Sequence, residues 1–237
     1  MDTLEAIETR RSVRKYLDRP VEFEKLTTIL DAARKAPSAG NLQTWRFIMV
    51  TEKNLIKQVA TYSVEQYWIA TAPILILVCT VPEKHELYYG LRGKRLYAVQ
   101  DCAAAIQNLM LAATDLGLGT CWVGAFEEDK IKSLFEIPPD VRPQAIITLG
   151  YPDEVLEPRA LAPIETQVYF NRWGMRVEKL HIVLRDYAVE WQKHLPIKIY
   201  GIFINHFLRL WDFEASQRPD FLIANSIETK KRIEKYI

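Results

Sequence analysis

The sequence predicts an α+β or α/β layered domain built on one central sheet, and three observations carry that reading. Apolar runs of strand length alternate with segments of helical period over the first 150 residues. Composition is that of a globular chain, 49% apolar and 26% charged. Only 9 Gly and 12 Pro occur in 237 residues, which excludes collagen-like and low-complexity architectures. The length accommodates one domain or two around a buried core.

Residues 2–10 (DTLEAIETR) and 22–36 (EFEKLTTILDAARKA) set Leu4 and Ile7, then Phe23, Leu26, Ile29, Leu30 and Ala33, on one face at helical spacing. Pro37 stops the second helix, and PSAGN follows as a loop of turn-tolerant residues. Trp45 to Val50 is a short strand, whereas Ile74 to Thr80 (ILILVCT) is too continuously apolar for a half-exposed one and reads as a central strand buried on both faces. The clearest helix runs from Leu96 to Leu116, with Leu96, Val99, Ala103, Ile106, Met110 and Ala113 recurring at intervals of three and four. Gly117 and Gly119 end it. Cys121 to Val123 and Ala145 to Leu149 read as two more strands, with a helical pattern between them from Glu127 to Phe135. Beyond about Gly174 the chain is crowded with aromatic and apolar residues without strand punctuation, which places a boundary near 175. No internal repeat is present.

Thirty-one basic against 30 acidic residues leave a net charge of +1, so bulk electrostatics give no support for a nucleic-acid or anionic-membrane partner. Any anion site must be local. Cys79, Cys102 and Cys121 are far apart with no C-x-x-C pair, which suggests reduced core thiols rather than disulfides or zinc ligands. The N-terminus MDTLEAIETRR carries acids and lacks an apolar signal core. The longest apolar stretches, such as Pro73 to Cys79, fall far short of the ~20 residues that span a bilayer, and a cytoplasmic location is the expectation. No G-x-S-x-G, H-E-x-x-H or Walker A pattern occurs, and His85, His181, His194 and His206 lack metal-ligand spacing. Glu65 and Asp101 read as single carboxylates without an evident partner, so neither a metal nor a catalytic side chain is expected.

Three segments carry candidate chemistry. Arg10-Arg11-Ser12-Val13-Arg14-Lys15 gathers four cations and a hydroxyl, a set able to hold a phosphate through charge-assisted hydrogen bonds. The same cations also suit a solvated helix C-terminus. Pro37-Ser38-Ala39-Gly40-Asn41-Leu42-Gln43 combines small residues that let backbone approach a flat ligand with two amides that match a heterocycle edge, and it equally suits a plain helix-to-strand connection. Gly117 to Phe126 (GLGTCWVGAF) is not a dinucleotide fingerprint, because its glycines follow a helix and precede a strand. Gly124 and Ala125, at a strand end, are placed either to present backbone N–H groups or simply to end the strand.

Taken together and in order, RRSVRKY at 10–16, PSAGNLQTWRF at 37–47, YAVQDCAAAIQNLMLAATDLGLGTCWVGAF at 97–126 and IITLGYP at 146–152 resemble the nitroreductase family of FMN-dependent oxidoreductases, over roughly residues 1–174. The resemblance implies an α+β, three-layer fold with a central mixed, mainly antiparallel sheet flanked by helices, here followed by a C-terminal extension over 175–237 expected to be helical. It implies a homodimer with FMN at the interface, NADH or NADPH as reductant, and a small acceptor such as a nitroaromatic or quinone, used alternately in ping-pong fashion. By resemblance, Arg10, Arg11 and Ser12 match the phosphate and ribityl contacts, Arg14 the cation near flavin N1 and O2, and Gly124 and Ala125 the backbone donors at N5. Pro37, Ser38, Ala39, Gly40, Asn41 and Gln43 match the loop that reaches the ring from the partner subunit. Residues 163–174 match a closing arm. Where many members carry a further phosphate cation before that arm, this chain has Leu161 and Ala162, which leaves Arg159 as the substitute. Two other readings stay open: a flavin-binding protein without turnover, and an interaction module, since residues from about 195 are similar to a stretch of retaining glycosyltransferases.

Overall fold

The computed structural model describes residues 1–158 and 160–175. Helix α1 (Thr3–Thr9) is capped by the Asp2 carboxylate, which accepts the Glu5 N–H at 2.9 Å. Helix α2 (Phe23–Arg34) buries Leu26, Ile29 and Ala33. Strand β1 (Trp45–Val50) then leads through helix α3 (Lys53–Tyr62) and a 310 turn (Tyr67–Thr71) into β2 (Ile74–Thr80). Helix α4 (Pro82–Arg92) starts with Pro at its first position and passes through a π turn (Gly93–Tyr97) into the long α5 (Ala98–Asp115). Strand β3 (Gly119–Val123), helix α6 (Glu128–Leu134) and β4 (Arg142–Gly150) complete the order.

The strands form one antiparallel sheet in the order β1-β2-β4-β3. All seven residues of β2 are buried, as its unbroken apolar run predicts. The period of two sends Ile74, Ile76 and Val78 into a core shared with α2 and α5, and Leu75, Leu77 and Cys79 into a second core shared with α3 and α6. Ala145, Ile147 and Leu149 of β4 join the first core and Ile146 joins the second. The result is three layers, helix on sheet on helix, as expected of an α+β chain.

Compact units span Met1–Arg159 and Ala160–Ile237. In the second, the described residues include a 310 turn at Ile164–Thr166 and the rings of Tyr169 and Trp173 with centroids 4.5 Å apart. Of the extension expected over 175–237, residues 176–237, with the glycosyltransferase-like stretch, lie outside the described residues. Among the described residues no helix is long and apolar enough to cross a membrane.

The segment after α1 adds to the outer edge of β3. Val13 N–H donates to the Thr120 carbonyl at 2.9 Å, with Ser12 and Thr120 forming a parallel bridge and Tyr16 and Pro152 an antiparallel one. Gly119 permits this approach, since a Cβ there would lie 2.5 Å from Val13 Cγ2 and 3.0 Å from Pro152 Cγ. Gly119→Ala is therefore expected to cost about 1–3 kcal/mol of stability, measured by urea unfolding. Adding Val13→Ala should recover part of that loss, because it removes the clashing methyl group.

Candidate functional site

Local pairing fixes where the arginine-rich segment lies. Tyr16 is buried beneath it, and its hydroxyl donates to the Val13 carbonyl at 2.6 Å and stands 2.6 Å from Thr148 Oγ1 on β4. Burial holds this phenol well above its usual ionisation range, so it stays a neutral donor. The Glu154 carboxylate accepts the backbone N–H of Arg14 at 2.5 Å and of Lys15 at 3.0 Å. With its backbone tied on both sides, the segment presents its side chains in fixed directions.

Arg10, Arg11 and Ser12 are half-buried and Arg14 is exposed. Arg11 is partly spent on backbone, donating from Nη1 to the carbonyls of Glu8 (2.5 Å) and Arg10 (3.0 Å) and from Nε to that of Glu157 (3.3 Å). Among the described residues no carboxylate pairs with the Arg14 guanidinium, which stands 5.8 Å from the Trp68 ring centroid. The positive field of this cluster reaches β3. Burial pushes the Cys121 thiol up, while Arg14, the Ser12 hydroxyl and Arg10 pull it the other way.

Gly124 and Ala125 follow β3 directly and are exposed. A side chain added at Gly124 would meet only Trp122 Nε1, at 3.8 Å, so a flat group has room to reach this backbone. The turn after α3 connects the two parts of the site: Gln66 Nε2 donates to the Ser63 carbonyl at 2.7 Å and the Ala125 carbonyl at 3.2 Å, and Trp68 lies beside Arg14. Ser12, Arg14, Gly124 and Ala125 thus lie along one sheet edge. Gln66 and Trp68 are additions that the sequence signals only as a stretch without clear period.

The loop 37–43 is elsewhere. It opens β1, and β1 and β3 are the two edge strands, with β2 and β4 between them. Three strand spacings separate those edges, roughly 14 Å. Gly124 and Ala125 leave β3 at the end of the sheet where β1 begins, whereas Ser12, paired with Thr120, is level with the other end of β1. One copy of the chain does not bring them together. Arg159 lies outside the described residues.

Within that loop Ala39 to Asn41 form a 310 turn, and Gly40, Asn41 and Gln43 all have positive φ (58°, 55° and 49°). Ser38 Oγ accepts the Gln43 N–H at 3.1 Å, and Gln43 Nε2 donates to Asn41 Oδ1 at 2.8 Å. Asp101 corrects an expectation. Far from standing alone, its buried carboxylate accepts the Ala39 N–H at 3.1 Å and lies 2.8 Å from His85 Nε2.

Comparison with known proteins bears on the family and the fold. The sequence profile of the nitroreductase family matches residues 7–69 and 62–151, a span holding every element of the sheet and all of the site residues above that the structure describes. The chain belongs to the nitroreductase family. A Methanothermobacter thermautotrophicus relative, provisionally named an NADH dehydrogenase/NAD(P)H nitroreductase, is 39% identical over 177 residues, covering 73% of this chain and 88% of that protein. An FMN reductase [NAD(P)H] of Bacillus subtilis is 29% identical over 189 residues, covering 72% and 76% of the two chains. Among solved structures, an FMN-dependent nitroreductase from Clostridium difficile superposes with a TM-score of 0.63 at 28% identity, covering 72% of this chain and 99% of that one.

This member of the family holds its thiols away from chemistry. Cys79, Cys102 and Cys121 are free and buried, and burial pushes Cys79 up to about 11 and Cys102 up to about 12. Native protein at pH 8 should therefore leave all three thiols unreacted with a disulfide reagent over minutes, and unfolded protein should titrate all three. A thiol that reacts fast in the native state would contradict the packing of β2, β3 or α5.

Proposed function

We propose that this chain is an NAD(P)H-dependent oxidoreductase that holds FMN between two copies of itself and reduces a small acceptor such as a nitroaromatic or quinone. The observation that carries the reading is that Ser12, Arg14 and the open backbone of Gly124 and Ala125 line the same sheet edge. The residues present fit the three parts of FMN. Its phosphate calls for charge-assisted donors, which Arg10 and Arg11 supply, and its polyol suits the Ser12 hydroxyl. Its flat ring needs backbone within reach and no side chain in the way, the condition met at Gly124.

When bound, FMN supplies hydride acceptance and donation, so no side chain need form or break a bond. The chain's part is position and field. Arg14 sets a cation where negative charge develops on reduction, and the N–H groups of Gly124 and Ala125 fix the orientation. Ser38, Asn41 and Gln43 would reach the ring from the second copy, a reading supported by their place on the opposite edge of their own copy. With FMN so held, nicotinamide and acceptor would take turns in the same space, the condition for ping-pong kinetics.

Purified protein is expected to be yellow and to bleach on anaerobic addition of NADH or NADPH. Yellow protein inert to both would leave a flavin-binding protein without turnover, and colourless protein that FMN does not reconstitute would overturn the reading. Arg14→Ala should lose FMN more readily and bleach on the order of tenfold or more slowly. Unchanged flavin content and rate in that variant would remove Arg14 from the site.

The shared site has its own test. Arg14→Ala and Asn41→Ala chains, each impaired alone, should regain about half of wild-type activity per mixed dimer when co-expressed, since one of its two sites then takes Arg14 from one copy and Asn41 from the other. Recovery absent from isolated mixed dimers would place both residues in the same copy's site.

A further inference from the structure

Behind the loop 37–43 lies a chain of buried polar groups that the proposed chemistry does not use. Thr80, Thr44, His85 and Asp101 are 1%, 0%, 0% and 5% exposed. Thr80 Oγ1 and Thr44 Oγ1 are 3.1 Å apart, Thr44 Oγ1 is 3.2 Å from His85 Nδ1, and His85 Nε2 is 2.8 Å from Asp101 Oδ2. Asp101 then accepts the N–H of Ala39, at 3.1 Å to Oδ1 and 3.3 Å to Oδ2. One consistent assignment of protons satisfies every member: Thr80 donates to Thr44, Thr44 to Nδ1, and Nε2–H and the Ala39 N–H both to the carboxylate.

This arrangement ends on a strained element. Asn41 and Gln43 adopt left-handed conformations on side-chain-bearing residues, a state that persists only where the surroundings over-determine it. Helix α4 supplies a second restraint, for the Tyr89 hydroxyl lies where a Cβ on Gly40 would come within 2.5 Å of it. His85 and Tyr89 share α4, Asp101 begins α5, and the π turn between them packs so closely that a Cβ at Gly93 would run into the His85 carbonyl. The loop's shape is thus imposed from beneath by two helices.

From this geometry we infer that His85 and Asp101 are positioning residues for the FMN site of the neighbouring copy: the imidazole aims the Asp101 carboxylate, and the carboxylate sets Ala39 and with it Ser38, Asn41 and Gln43. The inference rests on the FMN reading for its consequence and on the hydrogen-bond geometry for its cause. A buried carboxylate is costly unless its partners are in place, so the pair commits the loop to one conformation before any ligand arrives. Preorganisation of this kind lowers the ordering cost of binding.

Two substitutions at His85 separate anchoring from mere packing. Gln places an amide N–H near the position of Nε2 and keeps the bond to Asp101, whereas Asn places its amide near Nδ1 and keeps only the bond to Thr44. The variants His85→Gln, His85→Asn and Asp101→Ala are to be compared with the wild-type dimer by hydrogen–deuterium exchange of the 39–43 amides and by FMN titration. In Asp101→Ala and His85→Asn, exchange of those amides should accelerate and the FMN Kd should rise, each about tenfold or more, while amides of β2 and β4 keep their protection. His85→Gln should restore both toward wild type. Unchanged loop exchange in Asp101→Ala, equal behaviour of Gln and Asn, or faster exchange with unchanged FMN affinity would each overturn the inference. Failure of the wild-type dimer itself to bind FMN would instead overturn the reading of function, and with it the consequence drawn here.

Discussion

The two-faced burial of β2 constrains everything else in this chain. Because alternate residues of Ile74–Thr80 enter cores on opposite sides, neither face of the sheet is free to bind anything at β2. At about 25 cal/mol per Å2 of apolar area, exposing either face to make room for a ligand would cost far more than binding returns. Chemistry is left with the edges and ends of the sheet. Both candidate clusters lie there, one outside β3 and one at the start of β1, and the strand order separates them. In the proposed function, a site that needs both clusters would be completed by a second sheet edge brought alongside the first.

The same logic explains why a nearly neutral chain can hold an anion. A net charge of +1 predicts no long-range attraction. What counts is that Arg10, Arg11 and Arg14 follow one another on a segment whose backbone is paired to β3 on one side and to residues 151–153 on the other. Arg11 donates to three carbonyls and so is held in place without being neutralised. Fixed cations near a low-dielectric wall act more strongly than the same number scattered over a surface, and burial, which pushes the Cys121 thiol up, is opposed there by Arg14 and Arg10.

How much of this was legible in the sequence differs from element to element for physical reasons. Trp45–Val50 and Ile74–Thr80 match their expected bounds because apolar content, β-branching and burial coincide there. Helix α4 escapes notice because its pattern is inverted: Leu87, Tyr88, Tyr89 and Leu91 are exposed, while the buried positions are Pro82 and His85. Helix α3 turns only Ile56, Val59 and Ala60 inward, too few apolar positions to mark a period among Lys53, Asn54, Lys57 and Gln58. Arg10 to Arg14 and Gly124 could be singled out because their residue types are unusual in runs. The pairing of His85 with Asp101 could not, since Gly90, at φ 59° and ψ −154°, breaks the helix between the two residues, and their spacing then says nothing of their contact.

That last point bears on why a buried ionisable pair persists where apolar residues would pack at least as well. Replacing such a pair by a hydrophobic cluster is often neutral or stabilising, so its presence is weak evidence for stability. It is stronger evidence for a conformation that apolar contacts cannot specify. The backbone N–H of Ala39 needs an acceptor at one place, and a methyl group in the position of Asp101 would leave it unsatisfied at a cost of about 1–3 kcal/mol. Gly40, Asn41 and Gln43, all at positive φ, would then be free to relax toward ordinary backbone, and the amides they carry would lose a common direction. Around this loop directionality, which hydrogen bonds supply and hydrophobic burial does not, is therefore concentrated where two helices meet a turn held at positive φ.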